Sequence, residues 1–424
     1  MTGRIGGVTM EYVRGLFGIA GLVLIAFLFS ENKRGISWRI VGIGLGLQVA
    51  IALILLKVPF ISHAFLYLNR AVVALQDATK AGTSFVFGYV GGGATPFHVT
   101  NAGALSILAF QSLALILVIG ALSALLWHWR VLPMIVKGFS WALQRTLGIG
   151  GAVGVSSAAN IFVGMVESPL LVKPYIPRLT KSEMFVVMTV GLATIAGTMM
   201  ILYATIVGTM LPNAIAHLLI ASMINVPAAI MVARIMVPEE QDAKRTEGEP
   251  EIHYAGSMDA ITRGTSEGLG LYLNVIAMLI VLVALVALAN SVLSLLPDIG
   301  GHAITLQRIL GVIMAPYVWL MGVPWHEATT AGGLMGTKIV LNEFIAYTDM
   351  ANLPTGALSH NTEIILTYAF CGFANFGSLG IMLGGLISMA PERRSEIAGL
   401  GLRSIVSGTL ATSFTGTIVG LMHI

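Results

Sequence analysis

Charge is what this sequence has least of. Only 10% of its 424 residues are Asp, Glu, Lys or Arg, while 56% are hydrophobic. Soluble domains carry about 25% charged residues, so a water-covered surface of ordinary composition is excluded. The single cysteine, Cys371, excludes an intramolecular disulfide and a cysteine metal site. No run of five like charges occurs and the net charge is only +3, which leaves no basis for a nucleic-acid surface. The nine histidines form no cluster, so no metal other than a transported ion is expected, and no organic cofactor. His326-Glu327-Ala328-Thr329-Thr330 lacks the second histidine of a zinc-protease motif, and Gly332 to Lys338 does not meet the spacing of a P-loop.

What is present is long apolar sequence. A helix of about 20 apolar residues crosses the roughly 30 Å hydrocarbon core. Residues 11–30, 38–57, 103–127, 183–211, 213–236, 270–296, 362–390 and 403–421 each fit, with polar or basic residues at their ends. The expectation is an all-α polytopic membrane protein with eight transmembrane helices. The first run has no Ala-x-Ala-like exit and is followed by Lys33 and Arg34, so it reads as a retained helix. Residues from about 62 to 90 scatter Arg70, Asp77 and Lys80 among apolar residues, as an interfacial amphipathic helix does.

Two further apolar intervals, 132–178 and 304–347, are broken by glycine, proline and a carboxylate. The first contains Gly148, Gly150, Gly151 and Gly154 and then Asn160 to Pro169; the second contains Gly322-Val323-Pro324-Trp325-His326-Glu327. Neither half of either block spans comfortably alone, which predicts two re-entrant hairpins. Irregular backbone at membrane depth is tolerated only where protein buries it or it lines a cavity. Each block is followed by a polar-centred helix and then a plain one. An order that occurs twice suggests an inverted repeat with a binding site at the paired interruptions.

Lysine and arginine collect on one side of this arrangement, including Lys33, Arg39, Arg130, Lys181, Arg263 and Arg403. That side is expected to be cytoplasmic in a bacterial inner membrane, with both termini periplasmic. The only long polar stretch, 238–267, reads as a cytoplasmic connection. It divides the chain into spans one to three (1–131), a first repeat (132–237), the connection, a sixth span (268–300) and a second repeat (301–424).

Charges deep in hydrocarbon cost roughly 2.5–3.5 kcal/mol each on insertion scales. Four such residues stand out: Glu167, Glu327, Lys338 and Glu343. Glu167 sits at the broken tip of the first hairpin, where freed amides would face it and it would grip hydroxyl or N–H donors. A cap on the following half-helix is the alternative. Glu343 is read as a site carboxylate or as the partner of Lys338, which would share a helix face with Asn342. Glu327 follows Pro324 and reads as a cap. Near a broken helix, Asn160 and Thr194 suit a small hard cation. Asn375 and Ser378, three apart, suit a diol, and Phe373, Phe376 and Tyr347 are available to stack on a ring. An intramembrane enzyme using Glu167, His326 and Glu343 would explain the carboxylates but not the matched interruptions, so no enzyme is expected.

Gly336-x-Lys338-x-x-x-Asn342-Glu343-Phe344-Ile345-Ala346-Tyr347 resembles the signature of the concentrative nucleoside transporter family. Gly322 to Trp325, Cys371 to Asn375 and the Glu167 tip resemble further family blocks, in the same order. The resemblance implies a sodium-coupled, or sometimes proton-coupled, nucleoside importer that assembles as a homotrimer in lipid. In the family, spans one to three, the sixth span and the interfacial helix form a scaffold, and the two hairpins with the remaining spans move as an elevator. By similarity the nucleobase would meet Glu167, Met165, Val166 and Met199, and the ribose Glu343, Asn375 and Ser378, with Phe373 nearby. Sodium would be held by Asn160, Thr194 and the carbonyls of Val163 and Ile195. This chain departs at the first tip: Gly164-Met165-Val166-Glu167-Ser168 stands where many members have Gly-Gln-Thr-Glu-Ala. Two hydrogen-bonding side chains are thereby replaced by apolar ones, which leaves more of the base recognition to Glu167 or a bridging water.

Overall fold

In hydrocarbon a backbone N–H or C=O has no water to bond, so an apolar chain satisfies these groups within helices. The computed structural model describes residues 2–57, 59–99, 105, 107–239, 253–298, 301 and 303–423, and among them every regular element is helical. The chain opens with α1 (Thr2–Leu28), α2 (Trp38–Lys57) and α3 (Pro59–Phe87), the last covering the stretch expected at the interface. Next comes α4 (Leu115–His128), preceded by a π turn over Ala109–Leu113. The expected start of that span, at 103, lies outside the described residues.

Helices α5 (Val131–Leu147), α6 (Gly151–Ala159), α7 (Glu167–Leu170), α8 (Lys181–Ala193), α9 (Gly197–Val207) and α10 (Ala214–Met236) build the first interrupted block and its followers. After α11 (Ser257–Leu293) come α12 (Leu306–Leu320), α13 (Trp325–Val340), α14 (Glu343–Ala351), α15 (His360–Phe370), α16 (Phe376–Met389) and α17 (Arg394–His423). One succession therefore occurs twice, over α5–α10 and α12–α17. A lead helix turns at a left-handed glycine, Gly148 (φ 63°) or Gly322 (φ 110°). A second helix, a break and a short helix follow, then a helix interrupted at its centre and an unbroken one.

Several expectations change at this level. The spans 183–211 and 362–390 are each two helices, parted at 194–196 and 371–375. Among the described residues five helices are long and apolar enough to cross a membrane, or six if α12 and α13, bent by 116°, count as one. That bend is the interruption expected at Gly322–Glu327, but a second break follows at 341–342 and places Glu343 at the start of α14. Lys338 and Asn342 therefore do not share a continuous helix. The connection 238–267 is shorter than expected, because α11 begins at Ser257; residues 240–252 lie outside those described. With 37 residues, α11 is about 55 Å long at 1.5 Å per residue and outreaches the hydrocarbon core.

Packing separates two bodies. Helix α4 lies against α11 along a seam of small residues, where a Cβ on Gly120 would stand 2.7 Å from the Gly264 carbonyl oxygen. Such seams let membrane helices approach closely. Most other helices gather around α10 and α17, which are buried nearly throughout. Helices α1 and α2 join this second body: Gln48 of α2 reaches Met231 of α10, and Lys57 Nζ donates to the Met422 carbonyl at 3.1 Å. At one end Glu31 accepts from Lys181 at 2.8 Å and pairs with Arg403, while its N–H donates to the Met236 carbonyl at 2.9 Å. Arg393 donates to the Ile176 and Leu179 carbonyls nearby. Lys181 and Arg403, two of the basic residues counted to one face in the sequence, thus meet at Glu31.

Candidate functional site

Between the α4–α11 pair and the larger body lies a cavity of about 540 Å³, within the roughly 300–1,000 Å³ of small-molecule sites. Ser123 and Trp127 of α4 and Glu267 and Asn274 of α11 line one wall. The facing wall takes Val163 to Glu167 from the first tip, Met199 and Tyr203 from α9, Glu343 from α14, and Phe373, Asn375 and Ser378 from the α15–α16 break. The eight residues expected to meet substrate, far apart in sequence, all line this one space.

The break before α14 forms because Asn342 adopts extended backbone and its side-chain oxygen accepts the Ile345 N–H at 2.9 Å, starting a new helix. Asn375 does the same for α16, accepting the Ser378 N–H at 2.7 Å. With its oxygen so fixed, the Asn375 amide nitrogen donates to Glu343 Oε2 at 2.8 Å. Tyr203 donates its hydroxyl to the other oxygen, Oε1, at 2.5 Å. Glu343, 3% exposed, is thus a buried carboxylate held from two sides in the lining of the cavity. Lys338 is fully buried and acts on Glu343 electrostatically, yet no ion pair forms between them and its Nζ has no hydrogen-bond partner among the described residues.

At the first tip, α6 ends after Ala159 and α7 starts at Glu167. The Glu167 carboxylate folds over Gly164, where a Cβ would come within 2.1 Å of Oε2. Beside it Met165 and Val166 present apolar surface to the cavity.

Behind the tip, Asn160 donates from Nδ2 to Thr194 Oγ1 at 2.8 Å, and Ser168 donates to Asn160 Oδ1 at 3.1 Å. Asn160, Thr194 and Ile195 are buried and lie just outside the cavity lining. Extended backbone at Thr194 and Ala196 parts α8 from α9 and leaves the last carbonyls of α8 without helical donors. The interruptions also stitch to one another. Gly197 donates to the Phe162 carbonyl at 3.0 Å, Phe373 to the Thr194 carbonyl at 3.3 Å, and Asn225 of α10 to the Cys371 carbonyl at 2.6 Å.

Some sequence assignments shift here. Glu327 accepts from Ser359 at 3.1 Å at the head of α15 and does not cap its own helix. Tyr347 donates to the Thr367 carbonyl and packs against Tyr203 and Phe370, behind the cavity wall. Tyr203 and Ser168 were not singled out from sequence, since a tyrosine in an apolar run and a serine before proline carry no signal of their own. Glu267 is hidden by reading 238–267 as a connection, and Asn274 lies inside the expected span 270–296 with no signal of its own. Among the described residues no group of three His, Cys, Asp or Glu side chains is placed to hold a metal ion.

Membrane-length helices, paired interruptions and a polar-ended cavity between two helical bodies define an integral membrane transporter. Residues 17–90, 109–210 and 217–420 match the family descriptions Na+ dependent nucleoside transporter N-terminus, Nucleoside recognition, and Na+ dependent nucleoside transporter C-terminus. A Bacillus subtilis (strain 168) protein described as uncharacterized transporter YutK is 39% identical over 97% of this chain and 100% of its own length. The nucleoside permease NupC of Helicobacter pylori (strain ATCC 700392 / 26695) is 34% identical over 95% of this chain and 96% of its own. The solved structure of CNTnw in an inward-facing substrate-bound state superposes with a TM-score of 0.87 at 34% identity, covering 97% of both chains. The chain belongs to the concentrative nucleoside transporter family. Its relatives are transporters rather than enzymes.

Proposed function

We propose that this protein imports nucleosides by sodium symport, with an elevator-like movement of the interrupted blocks past the α4–α11 wall. The observation that carries the reading is Glu343, clamped by Tyr203 and Asn375 in a cavity between two bodies, with the Asn160–Thr194–Ser168 cluster directly behind. Glu343 and Ser378 take the ribose hydroxyls, while Asn375 acts mainly by holding Glu343. The base lies toward Glu167, Met165, Val166 and Met199, with Phe373 beside the ring. Sodium takes the oxygens of Asn160 and Thr194 and the carbonyls of Val163 and Ile195. Filling that site would steady the tip that closes on the nucleoside, so both solutes favour one conformation.

The two blocks would be inverted re-entrant hairpins within eight spans, and the protein a homotrimer in the inner membrane. The basic end would face the cytoplasm and both termini the periplasm. The α4–α11 pair belongs to the scaffold; α1 and α2, scaffold by resemblance, pack on α10 and α17 and need their own test.

Uptake of labelled nucleoside into proteoliposomes under an inward sodium gradient, or a proton gradient in sodium-free buffer, tests the coupling. Accumulation is expected to follow sodium. Accumulation with protons alone would move coupling onto a carboxylate. Glu343→Gln is expected to abolish uptake while the protein still inserts and assembles; normal uptake by that variant would remove Glu343 from the site.

A further inference from the structure

A second cavity, of about 420 Å³, lies where the C-terminal part of α3 meets the start of α4, and Thr205 of α9 completes its lining. Its volume also falls within the range of small-molecule sites. The backbone around it is fixed by side chains. Thr83 donates to the Gly91 carbonyl at 2.8 Å, and the Gln111 amide nitrogen donates to the Val90 and Leu105 carbonyls at 3.0 and 2.8 Å. Gly92, left-handed at φ 91°, leaves room for the stem of Lys80: a Cβ there would stand 3.3 Å from Lys80 Cε.

Within this frame, donors are left over. The Lys80 ammonium, the Gln76 amide and the Tyr89 and Ser112 hydroxyls belong to the lining and have no side-chain hydrogen bond or ion pair among the described residues. Lys80 is the one charged residue among the described residues of the lining, so no carboxylate there neutralises it. A single cation with spare N–H and O–H groups suits a ligand that only accepts and carries one negative charge, because bonds from an ammonium to a phosphate oxygen are charge-assisted. A phosphodiester has those properties.

The surroundings decide how such a group is presented. Phe85, on α3 between lining residue Thr83 and the end of the helix, is 92% exposed. Phe97 packs edge-on against Tyr89 with ring centroids 5.3 Å apart, and Phe87 meets Phe110 at 5.0 Å; all four rings are exposed. An exposed apolar patch beside a polar cavity marks contact with a membrane, and tyrosine favours the headgroup level. A soluble phosphate gains nothing from such a rim, whereas a phospholipid lays its acyl chains along it.

We propose that this cavity binds the phosphodiester headgroup of an anionic phospholipid, with Lys80 as its counter-charge and Ser112 and Tyr89 as further donors.

The test is native mass spectrometry of the full-length protein, released from micelles carrying phosphatidylglycerol or phosphatidylcholine. Wild type should retain one more phosphatidylglycerol than phosphatidylcholine per chain. Lys80→Gln should lose that lipid and Lys80→Arg should keep it, while Lys33→Gln, a basic residue outside the cavity, should leave it in place. Ser112→Phe, which fills the cavity with the ammonium intact, should also lose it. Equal retention of the two lipids by wild type, retention by Lys80→Gln or Ser112→Phe, or an equal loss in Lys33→Gln would each overturn the proposal. Millimolar glycerol 3-phosphate should leave the lipid bound; its displacement would reassign the cavity to soluble phosphates and overturn the lipid assignment.

Discussion

Glu343 shows how one buried charge is made tolerable. A carboxylate in an apolar interior needs donors aimed at it, and the chain supplies the Tyr203 hydroxyl and the Asn375 amide from different helices. A hydrogen bond to a charged group contributes about 1.5–3 kcal/mol. Tyr203→Phe is therefore expected to raise the nucleoside KM about tenfold or more by initial-rate uptake; an unchanged KM would show that Asn375 alone positions the carboxylate. Lys338 presents the opposite case, a fully buried ammonium whose nitrogen lacks a partner among the described residues. A buried ammonium without a hydrogen-bond partner costs stability that an apolar side chain of similar volume does not. Lys338→Met should leave the thermal midpoint unchanged or raised, while uptake falls as Glu343 loses its nearby cation. A lowered midpoint would make Lys338 a structural residue.

At the scale of elements, breaks carry the design. Two of the interruptions start a new helix at a polar cap, Asn342 and Asn375, and freed backbone groups pair between interruptions, as Gly197 does with Phe162 and Phe373 with Thr194. In the proposed elevator, packing assigns the helices that would move together. Glu31, in the link between α1 and α2, pairs with Lys181 of α8 and Arg403 of α17, which belong to the interrupted blocks and their followers. A disulfide joining Glu31→Cys to Arg403→Cys should leave uptake intact if α1 and α2 travel with α17. Uptake blocked by oxidation and restored by reductant would return α1 and α2 to the scaffold, as the family resemblance has it.

For the whole molecule, coupling is a matter of which solutes stabilise one arrangement of the two bodies. Ligands that bind only the folded, closed form add stability as RT ln(1 + [L]/Kd). If sodium orders the first tip on which nucleoside then closes, the thermal shift with both present should exceed the sum of the separate shifts. Thr194→Ala should remove that excess while leaving nucleoside alone able to give its own small shift. Purely additive shifts in the wild type would mean that the two sites do not communicate.

Much of this protein is legible in its sequence because hydrocarbon imposes so narrow a rule. With 10% charged residues, the chain had to form apolar helices, and their approximate places follow from run length. The few polar residues left in those runs were visible for the same reason: Glu167, Glu343, Asn160 and Asn375 stand out against their surroundings. What run length does not encode is where a helix breaks without changing composition. The parting of α8 from α9, the second break before Glu343 and the early start of α11 at Ser257 depend on caps and on donors from other segments. Nor does it encode who faces whom. Tyr203 lies 140 residues from Glu343 and looks like any aromatic residue in an apolar run, and Glu267 reads as part of a polar connection. Only the packing of α4 on α11, opposite the interrupted blocks, makes them walls of one cavity, because hydrogen bonds and desolvation act on distance in space and not along the chain.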